Sequence, residues 1–307
     1  MSGNEPLVEC AANFSEGRRP DVIAAIVQAI RDVEGAAVLD VDSDADHNRT
    51  VITFAGSPEN VGEAAVRAVG VAGELIDLNE QDGVHPRIGA ADVIPFVPLH
   101  RITIIECGWI AHSVGAEIWN RFQIPVYLYG EAAVLPVRRP LPNVRQIGFE
   151  KLREAVKHDI LRFPDYGQAQ LHPTAGAVAV GARKVLIAWN IELDTADVEI
   201  ARSIASHIRE SDGGFPAVRA LGLALASKGI TQVSINLTDY EVTPPHLVLP
   251  RVEELAAQQG VHVTGTELIG LIPQKALDLA AEAGVDLRIY NLQPDSTIEA
   301  RIAAAGL

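Results

Sequence analysis

Short apolar runs rich in β-branched residues recur along the chain and predict β-strands. Several are bounded by glycine or by clusters of polar residues, which is typical of strands that end in loops. The predicted strands cover residues 5–10, 36–42, 50–56, 124–130, 184–193, 231–237 and 261–270.

Between these runs, apolar residues recur every three or four positions, which predicts amphipathic helices. Proline is tolerated in the first turn of a helix, and glycine commonly follows the last turn, as Gly284 does here. The predicted helices begin at Pro20, Pro58 and Pro250, or cover residues 102–120, 149–160, 194–210 and 273–284. Strands that alternate with helices indicate an α/β or interleaved α+β fold.

Two proline-rich segments interrupt this pattern. The first, ADVIPFVPL (91–99), contains Pro95 and Pro98. Proline cannot donate to a sheet ladder, so this segment is predicted to be an edge strand or an extended strap. The second, PVRRPLPNVRQIG (136–148), combines prolines with arginines and predicts an extended surface loop.

The two halves of the chain share a layout. VECAANFSEG (8–17), a helix and VLDVD (38–42) parallel VLIAWNIELD (185–194), a helix and QVSINL (232–237). Each half presents a strand with an asparagine, a polar loop, a helix and a strand. This predicts two similar subdomains, although the spacing is too irregular for a sequence repeat.

Composition and charge narrow the functional classes. A length of 307 residues suggests about two domains. The net charge of −15 argues against a nucleic-acid partner and against an anionic membrane surface. Cys10 and Cys107 lack the spacing of a metal or redox site, so two buried thiols are expected. The absence of a signal-peptide pattern or a long apolar run leads us to expect a cytoplasmic protein.

His85 is the first candidate for chemistry, in QDGVHPRIGA (81–90). The residue before a proline favours an extended backbone, and imidazole titrates near neutral pH, which suits general acid–base catalysis. A loop histidine bonded only to backbone is the alternative. The glycines, Asp82 and Arg87 nearby favour a functional loop.

Two further segments are rich in polar or small residues. DVDSDADHNRT (40–50) lacks the glycine and the distant glutamate of a calcium loop, so either a polar substrate loop or a solvated turn fits it. GQAQLHPTAGAVAVGAR (167–183) has no Walker or dinucleotide fingerprint. Its small residues would let the backbone approach a flat ligand, or would form a closely packed hinge. Without a GxSxG elbow, we expect direct group transfer rather than an acyl-enzyme.

These stretches together resemble the glutamate formimidoyltransferase family, in the family's order and over nearly the whole chain. Two departures are Ala11–Ala12, where the family usually has Val-Pro, and Val178, where it usually has threonine. The matching stretches are VECAANFSEGR (8–18), VDSDADHNRTVITFAG (41–56), QDGVHPRIGAADVIPFVP (81–98), IPVYLYGEAA (124–133), HPTAGAVAVGARKVLIAWNI (172–191), QVSINLTDYEVTPPH (232–246) and GTELIGLIP (265–273).

The resemblance implies two α/β subdomains, residues 1–178 and 179–307, each a mixed β-sheet with helices on its outer face. It implies a ligand tunnel between them and a homodimer. The implied reaction moves the formimino group from N-formimino-L-glutamate to N5 of tetrahydrofolate, a co-substrate that can carry a polyglutamate tail, with no metal. The chain ends at Leu307, so the cyclodeaminase that follows in the animal enzyme is expected to be a separate protein.

The resemblance also implies roles for particular residues. His85 matches the family's catalytic histidine, and Asp42 matches an acidic position near the reacting centre. We add Arg49, Arg87 and Arg183, because glutamate and folate carry carboxylates that arginine binds bidentately; each could instead pair with an acid of the fold. The segment that matches the folate-binding loop is Gly167, Gln168, Ala169, Gln170, Leu171, His172, Pro173, Thr174, Ala175 and Gly176.

The residues leave other functions open. A folate enzyme that uses 5-formyltetrahydrofolate or N-formylglutamate could have the same site. A formyl donor differs from the formimino donor only in carrying an oxygen where the amidine carries an NH group. A non-catalytic folate-binding protein would not depend on His85. A structural scaffold fits least well, since glycine, asparagine, acids and arginine concentrate at strand ends.

Overall fold

The computed structural model describes residues 5–45, 47–83, 86–225 and 228–307. Its residue contacts divide the chain into two compact units. The first runs to Arg183 and includes Ala305–Leu307, and the second is Lys184–Ala304. The boundary between residues 178 and 179 stays a prediction, but a strand that begins at Val178 pairs within the first unit.

The first unit is built on a mixed sheet. Its strands are β1 (Leu7–Phe14), β2 (Ala36–Asp44), β3 (Arg49–Gly56), β4 (Ala91–His100), β5 (Val126–Gly130) and β6 (Val178–Ala182). Within the described residues they form one six-stranded sheet in the order β2-β3-β1-β4-β6-β5. The first three pairs in this order are antiparallel, and the β4-β6 and β6-β5 pairs are parallel.

Helices of the first unit pack against this sheet and bury its core. Val8, Cys10, Ala12 and Phe14 of β1 belong to that core. Cys10 and Cys107 are both buried, as the sequence predicts. The helices are α1 (Pro20–Arg31), α2 (Pro58–Leu75), α3 (Ile104–Phe122), α4 (Leu141–Arg145) and α5 (Gly148–Ala155).

The second unit has a smaller sheet. Its strands are β7 (Ile187–Leu193), β8 (Val218–Leu225), β9 (Ile230–Leu237) and β10 (Val263–Ile269), in the order β10-β7-β9-β8. Its helices are α6 (Val198–Ile208), α7 (Pro245–Gln258), α8 (Gln274–Glu282) and α9 (Ile298–Ala305). All three strand pairs are antiparallel, which corrects the expectation of a mixed sheet in each subdomain.

The two units share one topology. The first begins β1-α1-β2-β3-α2-β4 with the strand order β2-β3-β1-β4. The second repeats it as β7-α6-β8-β9-α7-β10 with the order β8-β9-β7-β10. This is the βαββαβ arrangement of ferredoxin-like folds. The prediction of two similar α/β subdomains is therefore confirmed, and the first unit extends its sheet with β6 and β5.

β4 was predicted as an edge strand or strap, and this is wrong. It lies between β1 and β6, and residues Ala91–Val97 are buried. Its pairing with β6 covers Val93–Phe96, so Pro98 lies beyond that ladder. Burial of an apolar strand on both faces outweighs the few ladder bonds that two prolines remove.

The prediction of an extended surface loop at residues 136–148 is also wrong. A single 3-10 turn (Pro136–Arg138) leads into α4. The side chain of Arg138 is buried, where it pairs with Asp165 at 2.8 Å. Arg138 therefore has a structural role, which the local composition of this segment did not predict.

Other element boundaries shift as well. The helix predicted from Pro250 begins earlier, at Pro245, and contains Pro250 in its interior. β8 and α9 were not predicted. Among the described helices, none is both long and apolar enough to cross a membrane.

Candidate functional site

The segment that contains His85 lies against the segment expected to bind folate. The amide of Leu78 donates to the carbonyl of Thr174 at 2.9 Å, and the amide of Ala90 donates to that of Ala175 at 2.9 Å. The amide of Ala177 donates back to Ile88, also at 2.9 Å. Two stretches that are distant in sequence therefore form one structural element. His85 itself lies outside the described residues.

Glycine is required where these two stretches meet. Gly176 has φ +70, and an added Cβ would lie 2.2 Å from the carbonyl oxygen of Ile88. At Gly89 an added Cβ would lie 2.0 Å from the carbonyl oxygen of Ala177. Only glycine lets the two backbones approach this closely.

His172 organises the turn within the folate-like segment. Its Nδ1 accepts a hydrogen bond from the amide of Ala175 at 3.0 Å. Burial lowers the pKa of His172, which favours the neutral imidazole. In the tautomer that this bond selects, Nε2 carries the proton and can donate. Residues Gly167–Gln170 are exposed, while Leu171 is buried.

Polar side chains of β1, β2 and β3 share one face of the first sheet. Since Val8, Cys10, Ala12 and Phe14 point into the core, the alternation of side chains places Asn13 on the opposite face. Asn13 pairs with Val51, and Val51 pairs with Asp42, so these three residues form a row across the strands. Arg49 lies two residues before Val51 and pairs with Asp44.

Arg49 lies in a mixed field of charges. Burial, followed by the nearby positive charge of Arg145, lowers its pKa. The carboxylates of Asp92, Asp42 and Asp44 act in the opposite direction. The structure thus brings together two predicted residues, Arg49 and Asp42.

A narrow recess joins this cluster to the loop before His85. Its lining includes predicted substrate ligands and side chains from three separate segments. The lining residues are Phe14, Ser15, His47, Asn48, Arg49, Gln81, Arg87 and Asp92.

Arg87 is tied to the fold. One guanidinium nitrogen donates to the carbonyls of Leu78 at 3.1 Å and Gln81 at 2.9 Å, and contacts Glu150 at 3.1 Å. These bonds close the loop that precedes His85. They show a structural use for Arg87, and its role as a substrate ligand stays a prediction.

Arg183 lies further along the same sheet. Its amide donates to the carbonyl of Phe96 at 3.1 Å. Its charge acts on both Tyr129 and Cys10, although burial is the larger effect and raises the pKa of Tyr129 to about 12. Arg183 therefore lies beside Tyr129 and is not among the residues that line the recess with Arg49 and Arg87.

Sequence reasoning missed two residues that organise the site. Asn48 is buried, with its Oδ1 accepting from the amide of Gly17 at 2.9 Å and its Nδ2 donating to the carbonyl of Asp82 at 2.8 Å. Arg145, in the segment expected to be a surface loop, contacts Asp92 at 2.5 Å. An asparagine with φ 49 is a recognisable signal in a structure, but not in the sequence.

Comparison with known protein families gives matches over both compact units. The family model "Formiminotransferase domain, N-terminal subdomain" matches residues 7–183, and the model "Formiminotransferase domain" matches residues 188–307. The chain belongs to the formiminotransferase family. It is therefore a transferase, and the family match covers both compact units.

Similar proteins support the assignment over nearly the full length of this chain. The chain is 42% identical to the glutamate formimidoyltransferase of Streptococcus pyogenes serotype M1, covering 94% of this chain and 93% of that protein. It is 41% identical to the glutamate formimidoyltransferase of Thermoplasma acidophilum, covering 96% and 95%. The rat formimidoyltransferase-cyclodeaminase is also 41% identical, and the match covers 98% of this chain and 57% of that longer protein.

Proposed function

We propose that this formiminotransferase transfers the formimino group from N-formimino-L-glutamate to N5 of tetrahydrofolate, which yields 5-formimidoyltetrahydrofolate and L-glutamate. The observation that carries this proposal is the near full-length similarity to enzymes named glutamate formimidoyltransferase. The joined segments around Leu78 and Thr174 support it, because the resemblance assigns acid–base chemistry to one and folate binding to the other.

The chemistry requires proton movement at two nitrogens. N5 of tetrahydrofolate attacks the amidine carbon, and a tetrahedral intermediate forms. The bond from that carbon to the glutamate nitrogen then breaks. We assign His85 to accept the proton from N5 and to return one to the leaving amine. General acid–base catalysis of this kind typically contributes about 10²–10⁴ in rate.

Binding of the two anionic reactants is assigned to the face of the first sheet that carries Asn13, Asp42 and Arg49. Arg49 is the preferred ligand for a substrate carboxylate, because it lies close to Asp42, the residue assigned to the reacting centre. Arg87 and Arg183 are further candidates, and Asp42 is assigned to the reacting centre. Residues 167–176 are assigned to folate, with the exposed Gly167–Gln170 as the part a ligand can reach.

The wider setting follows from the same family. We infer a homodimer in the cytoplasm that acts in histidine degradation and one-carbon metabolism, without a metal. A separate cyclodeaminase would consume the formimino-folate. Tetrahydrofolate with a polyglutamate tail is included among the co-substrates.

The experiment is an absorbance assay with tetrahydrofolate and N-formimino-L-glutamate, before and after dialysis against EDTA. His85→Ala should lower kcat by about 10²–10⁴, as expected for loss of an acid–base group. His158→Ala is the matched control, because that side chain is exposed on the surface. It should leave the rate unchanged.

Two results would count against this assignment. Wild-type protein that ignores N-formimino-L-glutamate but accepts N-formylglutamate or 5-formyltetrahydrofolate is a formyl-transfer enzyme. If wild type turns over none of these donors, and wild type and His85→Ala bind tetrahydrofolate with equal affinity, the protein is a folate-binding protein.

A further inference from the structure

The backbone immediately after His85 is held by a buried ion pair. Asp92 accepts a hydrogen bond from the amide of Ile88 through Oδ1 at 2.8 Å. Its other oxygen, Oδ2, contacts Nη2 of Arg145 at 2.5 Å. The same nitrogen donates to the carbonyl of Pro86 at 2.6 Å. One carboxylate and one guanidinium thus fix the two consecutive peptide groups that flank Arg87.

Both charged groups are shielded from water. The Asp92 side chain is 4% exposed and that of Arg145 is 16% exposed. Charge-assisted hydrogen bonds are roughly twice as strong as neutral ones, and they are screened less when buried. The pair is therefore a stiff support and not a surface contact.

Neighbouring residues extend this support to both sides. The amide of Phe149 donates to the carbonyl of Arg87 at 2.8 Å. On the far side, Oγ of Ser15 donates to the carbonyl of Gly89 at 2.7 Å. α4, the start of α5 and the residue directly after β1 therefore all bond to this loop.

We propose that Arg145 and Asp92 are positioning residues for transfer: together they fix the 86–88 backbone, which directly follows His85 in the chain. This inference rests on the proposed function, because it assigns the proton transfer to His85. It needs no contact between Arg145 and either substrate. Displacement of a reacting group by about 1 Å can cost about 10²-fold in rate.

The test measures kcat and KM for both substrates in Arg145→Gln, Arg145→Lys and Asp92→Asn. Arg145→Gln and Asp92→Asn should lower kcat by about 10- to 100-fold, and this loss should exceed any change in KM that arises because both charges act on Arg49. Arg145→Lys should recover part of the loss, because it keeps the charge beside Asp92 but lacks the planar fork. Arg139→Gln is the matched control, since Arg139 pairs with Glu131 on the surface and should not affect kcat.

Hydrogen exchange at the amide of Ile88 gives a second readout that does not depend on turnover. Exchange there should be faster in Arg145→Gln than in wild type or Arg139→Gln when each protein is measured at the same interval below its own melting temperature. If wild-type protein transfers no formimino group, the proposed function fails while exchange still tests the support. Faster exchange in Arg145→Gln would then show that the ion pair fixes the 86–88 backbone, and unchanged exchange would show that it does not.

Three outcomes would overturn the proposal. The first is an unchanged kcat in Arg145→Gln. The second is a rise in KM that accounts for the whole loss, which would make Arg145 a substrate ligand. The third is a loss of activity that matches the fraction unfolded in a thermal melt, which would make the pair only a stabilising contact.

Discussion

The amide of Leu78 donates to the carbonyl of Thr174 at 2.9 Å and thereby joins two segments far apart in the chain. Asn79 adds a second link, from its Nδ2 to the carbonyl of Pro173 at 3.0 Å. The segment that leads to His85 and the folate-like segment consequently share one set of backbone bonds. A change in either one is expected to disturb the other.

Gly176→Ala tests how closely these segments meet. The added methyl would clash with the carbonyl of Ile88, and φ +70 disfavours alanine, so we expect a loss of about 2 kcal/mol or more in unfolding free energy. Gly148→Ala is the control: its φ is +69, but the nearest atom would be 3.7 Å away. It should cost only the backbone strain, about 1–2 kcal/mol. Equal losses in urea unfolding would show that the clash is relieved.

Asn48→Asp tests the side chain that connects three loops. Aspartate keeps the acceptor for Gly17 but loses the donor to Asp82, and it brings a carboxylate from the buried position 48 against the carbonyl of Asp82. We expect a loss of about 1–3 kcal/mol. Asn143→Asp removes a similar bond, to Val137, at the surface. A loss as large there would contradict burial as the cause.

Two adjacent arginines test the effect of burial on an ion pair. Arg138 is 5% exposed and donates to Asp165 and to the carbonyls of Leu161 and Phe163. Arg138→Ala should cost about 3–5 kcal/mol, because it leaves a buried carboxylate without its partner. Arg139→Ala, whose ion pair is exposed, should cost at most about 1 kcal/mol. The two variants are compared by thermal and urea unfolding.

His172 predicts a specific pH dependence of stability. Its folded pKa is below the ordinary value of 6.5, so the unfolded chain binds a proton first as the pH falls. The stabilisation is complete above the ordinary pKa and is lost as the pH falls through the lower, folded pKa. Protonation of Nδ1 also removes the acceptor for the amide of Ala175.

The comparison is between wild type and His172→Asn, whose side-chain oxygen can accept the same bond but does not titrate. The melting temperature of wild type should fall more than that of the variant between about pH 7 and pH 5. Parallel curves would show that other groups cause the acid sensitivity.

Most regular elements follow from local pattern. The apolar runs predict β1, β2, β3 and β5, and Pro20 and Pro58 mark helix starts that the structure confirms. Pattern fails at β4, where the prolines suggested an edge but burial between β1 and β6 decides the outcome. The prediction of a surface loop at residues 136–148 fails for a similar reason, because Asp165 provides a buried partner for Arg138.

The candidate site shows the same division. The resemblance carried by QDGVHPRIGA and LHPTAG predicts two functional segments, and the comparison with known enzymes supports the transfer activity of the chain as a whole. The contact between those segments could not be predicted, because it depends on backbone bonds between distant residues. Arg145 was missed because its importance comes from Asp92 and Pro86 and not from its sequence neighbours.

The sequence by itself determined the alternation of strands and helices, the shared layout of the two halves and the family. These depend on periodicity and residue order, which are local properties of the chain. Only the tertiary structure decided that β4 is central, that Arg145 and Asp92 support the backbone after His85, and that Leu78 meets Thr174. Those outcomes depend on burial and on partners brought together by folding, and a buried charge or amide is stable only where a partner meets it.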